Sequence, residues 1–259
     1  MSIATEIQRL QLAKEDIKSA IIEKGGTVEE GALIDTYGEA IRGIEVGGSD
    51  SYYDTFWGNI YEQIKKSTFR IFNGSAWNDK TFQPPSNTVI TMTQDARYAF
   101  SAMQVKNMKS CLDDRGVKID FTNIKFSGGI FTDNGELEHL GEIDLSTLVN
   151  EVDVGDMFQR CGKLVTVDKI KFCEKALFKG QPFNNCSKLE NVTFEGELKL
   201  SISFVTSPLL SDASIQNIID CLSDLTGQTA QTITFHADVK AKLTDEQIAT
   251  ITSKNWTLA

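Results

Sequence analysis

The chain has 259 residues, 26 Lys plus Arg against 36 Asp plus Glu, 41% apolar and 24% charged residues, and 4 Pro, the composition of an ordinary globular chain and not of a disordered or collagenous one. A formal charge of -10, with no basic run longer than Lys65-Lys66, offers no broad attraction to phosphate and argues against a nucleic-acid partner. No apolar stretch approaches the roughly 20 residues that cross a bilayer, so no membrane insertion is expected, and Met1 to Glu6 show no secretory signal, which predicts synthesis in the cytoplasm.

The first 24 residues predict one helix. Ile3, Ile7, Leu10, Ile17 and Ile21 recur at alternating steps of four and three once Lys14 fills the missing place, a narrow, near-heptad stripe suited to a seam between helices. Gly25-Gly26 ends that helix by admitting a positive φ. Thr27 to Glu30 fits a capping box, and Leu33, Ile34, Tyr37 and Ile41 suggest a second, shorter helix. Two helices bury little surface alone, so residues 1–48 read as a helical docking or oligomerisation module, the alternative being a hairpin packed on the rest of the chain. Gly47 to Asp50 has the composition of a flexible linker.

Residues 49–88 are aromatic-rich, with Tyr52, Tyr53, Phe56, Trp57, Tyr61, Phe69, Phe72 and Trp77 close together, and read as an N-terminal cap on the repeat region.

Residues 89–205 repeat. An apolar-x-apolar unit recurs at Ile90-Thr91-Met92, Ile119-Asp120-Phe121, Ile143-Asp144-Leu145, Ile170-Lys171-Phe172, Val192-Thr193-Phe194 and Ile233-Thr234-Phe235, at intervals of 29, 24, 27, 22 and 41 residues. The segments before the units are also alike: Phe131-x2-Asn134-x2-Leu137-x2-Leu140 matches Phe158-x2-Cys161-x2-Leu164-x2-Val167 and Phe183-x2-Cys186-x2-Leu189-x2-Val192, with a degraded copy near Phe100, Met103 and Met108. Such a pattern predicts a coil that gains one turn per repeat, in which short parallel strands stack and the Asn or Cys sits at a buried corner against otherwise unpaired backbone groups.

Residues 206–259 read as an α/β cap. Asp212 precedes Ile215, Ile218, Ile219, Leu222 and Leu225, an amphipathic helix that accounts for the 41-residue interval. A strand over 232–235 comes next, then a capping box at Thr244 and Gln247 with Ile248 and Ile251 on one helix face, then a last strand at Trp256 and Leu258.

Chemistry is sparse. Five cysteines, at 111, 161, 173, 186 and 221, form no CxxC pair and read as buried thiols. The two histidines, His139 and His236, lack any metal-binding spacing, and no GxSxG, P-loop or GxGxxG occurs, so neither metal nor cofactor is expected. Asp113-Asp114-Arg115-Gly116 reads as a turn and not as the acid pair of a glycosidase.

The F-x2-[NC]-x2-L-x2-[LV] pattern, over about residues 98 to 196, resembles the BspA-type leucine-rich repeat of surface and virion proteins. The ends add to this. Ala4 to Leu10, Asp16-Ile17-Lys18 and the segment from Thr27 to Ile41 look like the opening helices of phage and prophage tail and virion proteins. Tyr53 to Trp57 with Trp77-x4-Phe82 resembles the segment after those helices, and Leu243 to Gln247 with Lys254 to Leu258 resembles their usual ending.

The resemblance implies an α/β chain with N-terminal helices, a short irregular leucine-rich-repeat solenoid of parallel strands and an α/β C-terminal cap. It implies a non-enzymatic phage virion structural protein, a tail-fibre, baseplate or receptor-binding component located in the virion and made in the host bacterial cytoplasm. Its partners would be other virion proteins, a host surface glycan or protein, and further copies of the chain, with a homotrimer favoured. Ile3, Ile7, Leu10, Ile17 and Ile21 are the docking or oligomerisation residues. Because side chains alternate along a strand, the candidate exposed binding face is Asp120, Asp144, Lys171 and Thr193, with Thr91 and Thr234 at its ends. A capsid-attached head fibre or decoration protein is an alternative, and a bacterial cell-surface adhesin a further one. An enzyme that degrades host polysaccharide is the reading from another class.

Overall fold

In the computed structural model, which describes residues 3–23, 28–29, 77–92 and 94–259, helices combine with short parallel strands in an α/β arrangement. The chain divides into two compact units, Met1–Asn59 and Ile60–Ala259. In the first, the predicted helix is present as α1 (Ile3–Glu23). The second predicted helix, from Leu33 to Ile41, the linker after it and the aromatic residues from Tyr52 to Phe72 lie outside the described residues.

In the second unit the strands among the described residues are β1 (Val89–Thr91), β2 (Lys118–Asp120), β3 (His139–Leu145), β4 (Val152–Asp153), β5 (Thr166–Phe172), β6 (Ala176–Leu177), β7 (Asn191–Glu195), β8 (Ile202–Phe204), β9 (Gln231–Phe235) and β10 (Trp256–Leu258). All their pairings are parallel. The sheet orders are β1-β2, β3-β5-β7, β4-β6 and β10-β9-β8. A strand in the middle of the unit therefore pairs with the next but one, because each pass of the chain supplies a strand to one sheet and a shorter one to another. Two short helical segments, α2 (Met108–Cys111) and a 3-10 turn (Asp113–Arg115), lie between β1 and β2.

A line of phenylalanines runs through the core. Phe82, Phe100, Phe131, Phe158, Phe183, Phe204 and Phe235 are each at most 2% exposed, and from Phe100 onward the rings stack nearly parallel, with centroids 5.3, 5.7, 4.9, 5.8 and 5.9 Å apart. Four of the rings, Phe100, Phe131, Phe158 and Phe183, are held by a turn of one kind. The residue two places after the ring, Ala102, Asp133, Arg160 or Asn185, is left-handed, with φ of 55, 61, 60 and 60°. That conformation costs a non-glycine residue about 1 kcal/mol, and here it swings the following side chain inward. Asn134 then donates to the carbonyls of Phe100 and Phe131 (2.7 and 2.9 Å) and accepts from the Met103 N–H (2.6 Å). Cys161 and Cys186 donate to the carbonyls of Phe131 and Phe158, at 3.0 Å each. The corner role read for the Asn/Cys position is thus met, and the degraded copy at Phe100 has the same turn.

The left-handed residues also tie one turn to the next. Backbone N–H groups of Ala102, Asp133 and Arg160 donate to the carbonyls of Thr132, Gln159 and Asn184 (3.1, 2.9 and 2.7 Å). Outside this ladder, the Arg160 guanidinium forks onto the Asp133 carboxylate (2.5 and 2.8 Å).

The C-terminal elements depart slightly from expectation. The amphipathic helix, α3 (Asp212–Asp220), stops before Leu222, which instead bridges in parallel to Leu198. Its N-cap Ser211 accepts from the Ser214 N–H. After α4 (Ala237–Lys240), the capping box of Thr244 and Gln247 opens α5 (Asp245–Ser253) as read from the sequence. Ile251 is buried on that helix while Ile248 stays 38% exposed. Of the five free cysteines, Cys111, Cys161 and Cys186 are buried, whereas Cys173 and Cys221 are only partly so.

Candidate functional site

The open side of the β3-β5-β7 sheet carries the residues that alternation turns away from the core. In β7 the burial strictly alternates, with Val192 and Phe194 inside and Thr193 outside. Register places Asp144 opposite Lys171. Lys171 in turn lies opposite Glu195 and not Thr193, because β5 has one residue more than β7 between Val167 and Ile170. The bulge puts Thr193 out of line with Asp144 and Lys171 across the sheet. Around it the charges are matched. Lys169 and Lys171 reach Glu195 at 3.2 and 3.6 Å, and hydrogen bonds from Lys169 hold the Glu195 carboxyl below the usual range. Lys109 and His139 both reach Asp168, at 2.7 and 2.8 Å. Burial alone would raise Asp168, but these bonds outweigh it and hold the carboxyl low.

The sheet is interrupted between β2 and β3, which belong to different sheets. The break leaves a groove of about 420 Å³, with Val89, Leu112, Val117 and Ile119 as its apolar lining and Asp113, Asp120, Glu142 and Asp144 around it. Ile119 is therefore half-buried, short of the full burial that the apolar-x-apolar pattern predicts, since no strand among the described residues flanks β2 on that side. A contact between the hydroxyls of Thr122 and Thr147, 2.9 Å apart, spans the break.

Each acid is placed by its own local structure. Asp120 ends β2 and Asp144 is the last residue but one of β3, and one oxygen of each accepts a backbone N–H two residues on, from Thr122 and Ser146 (2.9 Å each). Asp113 opens the 3-10 turn that Gly116 closes with a φ of 70°, and its carboxylate accepts the Glu142 N–H at 3.2 Å. It also lies against Gly141, where a Cβ would overlap it. Burial pushes the Asp113 carboxyl above the usual range, and the charges of Asp168 and Glu142 push the same way, against the hydrogen bond from Glu142.

Asp120 and Asp144 thus converge on one groove, Lys171 lies beside Asp144, and Thr193 is exposed on the far strand. Asp113 reads from the sequence only as part of a turn and Glu142 is not marked at all, because what joins them is a contact between that turn and β3. In the docking stripe, Ile21 is 4% exposed and Ile17 40%, with Ile22 beside it at 51%. The side chains of Ile3, Ile7 and Leu10 lie outside the described residues. Among the described residues no group of three or more His, Cys, Asp or Glu is arranged to hold a metal ion, and no helix is long and apolar enough to cross a membrane. No protein-family model matches the chain, and no curated protein and no solved structure matches it either.

Proposed function

We propose that this chain is a non-enzymatic phage virion structural protein, a tail-fibre, baseplate-associated or receptor-binding component. The second unit is read as a short irregular leucine-rich-repeat solenoid of the BspA type with a C-terminal cap. Residues 1–48 dock onto other virion proteins or bring copies together, a homotrimer being favoured, through the stripe of Ile3, Ile7, Leu10, Ile17 and Ile21. The open strand face, with Asp120, Asp144, Lys171 and Thr193, meets a host surface glycan or protein.

The observation that carries this reading is the recurrence of one turn, a buried Phe, a left-handed residue two places on and an inward Asn or Cys at the third, at Phe131, Phe158 and Phe183. A fold that grows by stacking identical turns produces extended outer surface in proportion to its length, which suits presentation to a partner. The test has two parts. Antibody raised against the chain should label intact virions in electron micrographs of a host lysate, and lysates whose particles never label would sink the virion assignment. Light scattering of the full chain beside one starting at Ser49 should show a trimer that becomes a monomer, and two monomers would remove the trimer.

A further inference from the structure

We propose that the apolar groove between β2 and β3 receives a lysine side chain from an exposed segment of a partner protein. The inference rests on the binding role just proposed for this face and names its partner chemistry. Elsewhere on the face acids are paired with cations, Asp168 with Lys109 and Glu195 with Lys169 and Lys171. At the groove cations act only at longer range, Lys109 on Asp113 and Lys169 on Glu142, and no ion pair closes: among the described residues neither Asp113, Asp120, Glu142 nor Asp144 forms an ion pair, and Lys118, the cation that lines the groove, pairs with none of them. Asp120 and Asp144 spend one oxygen on their own turns and keep the other.

Shape narrows the class of cation. The apolar lining suits an aliphatic stem, and a compact ammonium at its tip can take single carboxylate oxygens, which is what Asp120 and Asp144 have left, where a two-oxygen fork is not on offer. A guanidinium would want that fork. An amino sugar would want an aromatic platform, and none lines the groove among the described residues. A volume of about 420 Å³ takes a lysine together with neighbouring backbone. The chain's charge of -10 favours the approach of a basic segment.

The test is titration of the full chain with a blocked pentapeptide carrying one central lysine among glycines, beside the same peptide with Nε-acetyllysine or norleucine. The lysine peptide should bind, the other two should not, and added salt should weaken binding. The double variant Asp120→Asn with Asp144→Asn keeps the oxygen that each turn requires and removes both charges, so it should fold and lose about tenfold or more in affinity. Equal binding of the lysine and norleucine peptides, or an unchanged affinity in the double variant, overturns the inference. Tighter binding of glucosamine than of the lysine peptide overturns it in favour of an amino sugar. Labelled virions together with an inert groove would sink this inference alone, whereas a groove that binds lysine on a chain that labels no particle would sink the virion role alone.

Discussion

Asp113 is held where its charge is unfavourable. Burial and the neighbouring charges of Asp168 and Glu142 raise its folded pKa above the unfolded one. The native state therefore holds this proton more tightly, and the stability linked to it is fully present below the unfolded value, near pH 4, and is lost as pH rises through the folded value. Asp113→Asn keeps an oxygen for the Glu142 N–H and removes the charge, so its melting temperature should exceed that of the native chain at pH 7 and converge with it toward pH 4. A thermal scan at the two pH values checks this, and an equal deficit at both would mean that the carboxylate is needed for more than its oxygen. At this scale the sequence is legible where a rule is local. Alternation found Asp120 and Asp144, and the repeat found Asn134, Cys161 and Cys186. Asp113 and Glu142 escaped because they meet only where the 3-10 turn packs against β3, 29 residues away in sequence.

Among the elements, α3 ends the sheet. The outer edge of β7 would expose unpaired N–H and C=O groups, the usual liability of an edge strand. Here α3 packs along it, and its side chains replace the missing strand. The Ser214 hydroxyl accepts from the Val192 N–H at 2.9 Å. The Asn217 amide accepts from the Phe194 N–H at 2.7 Å and donates to the Phe194 carbonyl at 3.1 Å. Asn217→Ala should leave both backbone groups of Phe194 without these partners and cost about 1–3 kcal/mol in denaturant unfolding, whereas Gln216→Ala, on the exposed face of the same helix, should cost a few tenths by the general behaviour of surface sites. Equal effects would mean that α3 covers the edge by apolar packing alone. The helix itself was legible from Ile215, Ile218 and Ile219. Its second role was not, since Ser214 and Asn217 read as ordinary polar positions until β7 lies beside them. The bulge in β5 was hidden for a like reason, because the apolar-x-apolar count is the same on a strand with or without an extra residue upstream.

At the scale of the whole molecule, the line of rings makes each turn depend on its two neighbours. Phe158 is stacked on both faces, with Phe131 at 5.7 Å and Phe183 at 4.9 Å, while Phe235, last in the line, stacks on Phe204 at 5.9 Å. Replacing a buried Phe by Ala costs about 3–5 kcal/mol through lost burial and the cavity left behind, and each stacked pair adds about 0.5–1.5 kcal/mol. Phe158→Ala should therefore lie near the top of that range and exceed Phe235→Ala by roughly one ring pair, about 1 kcal/mol. Placement along the line should show in cooperativity too, because a defect in the middle removes a ring that contacts two others and a defect at the end removes one that contacts a single ring of the line. Phe158→Ala is expected to broaden the urea transition or split it, and Phe235→Ala to shift it without broadening. A single sharp transition in both variants would show that the turns unfold as one block, and that the sheets and α3, more than the ring line, join one end of the unit to the other.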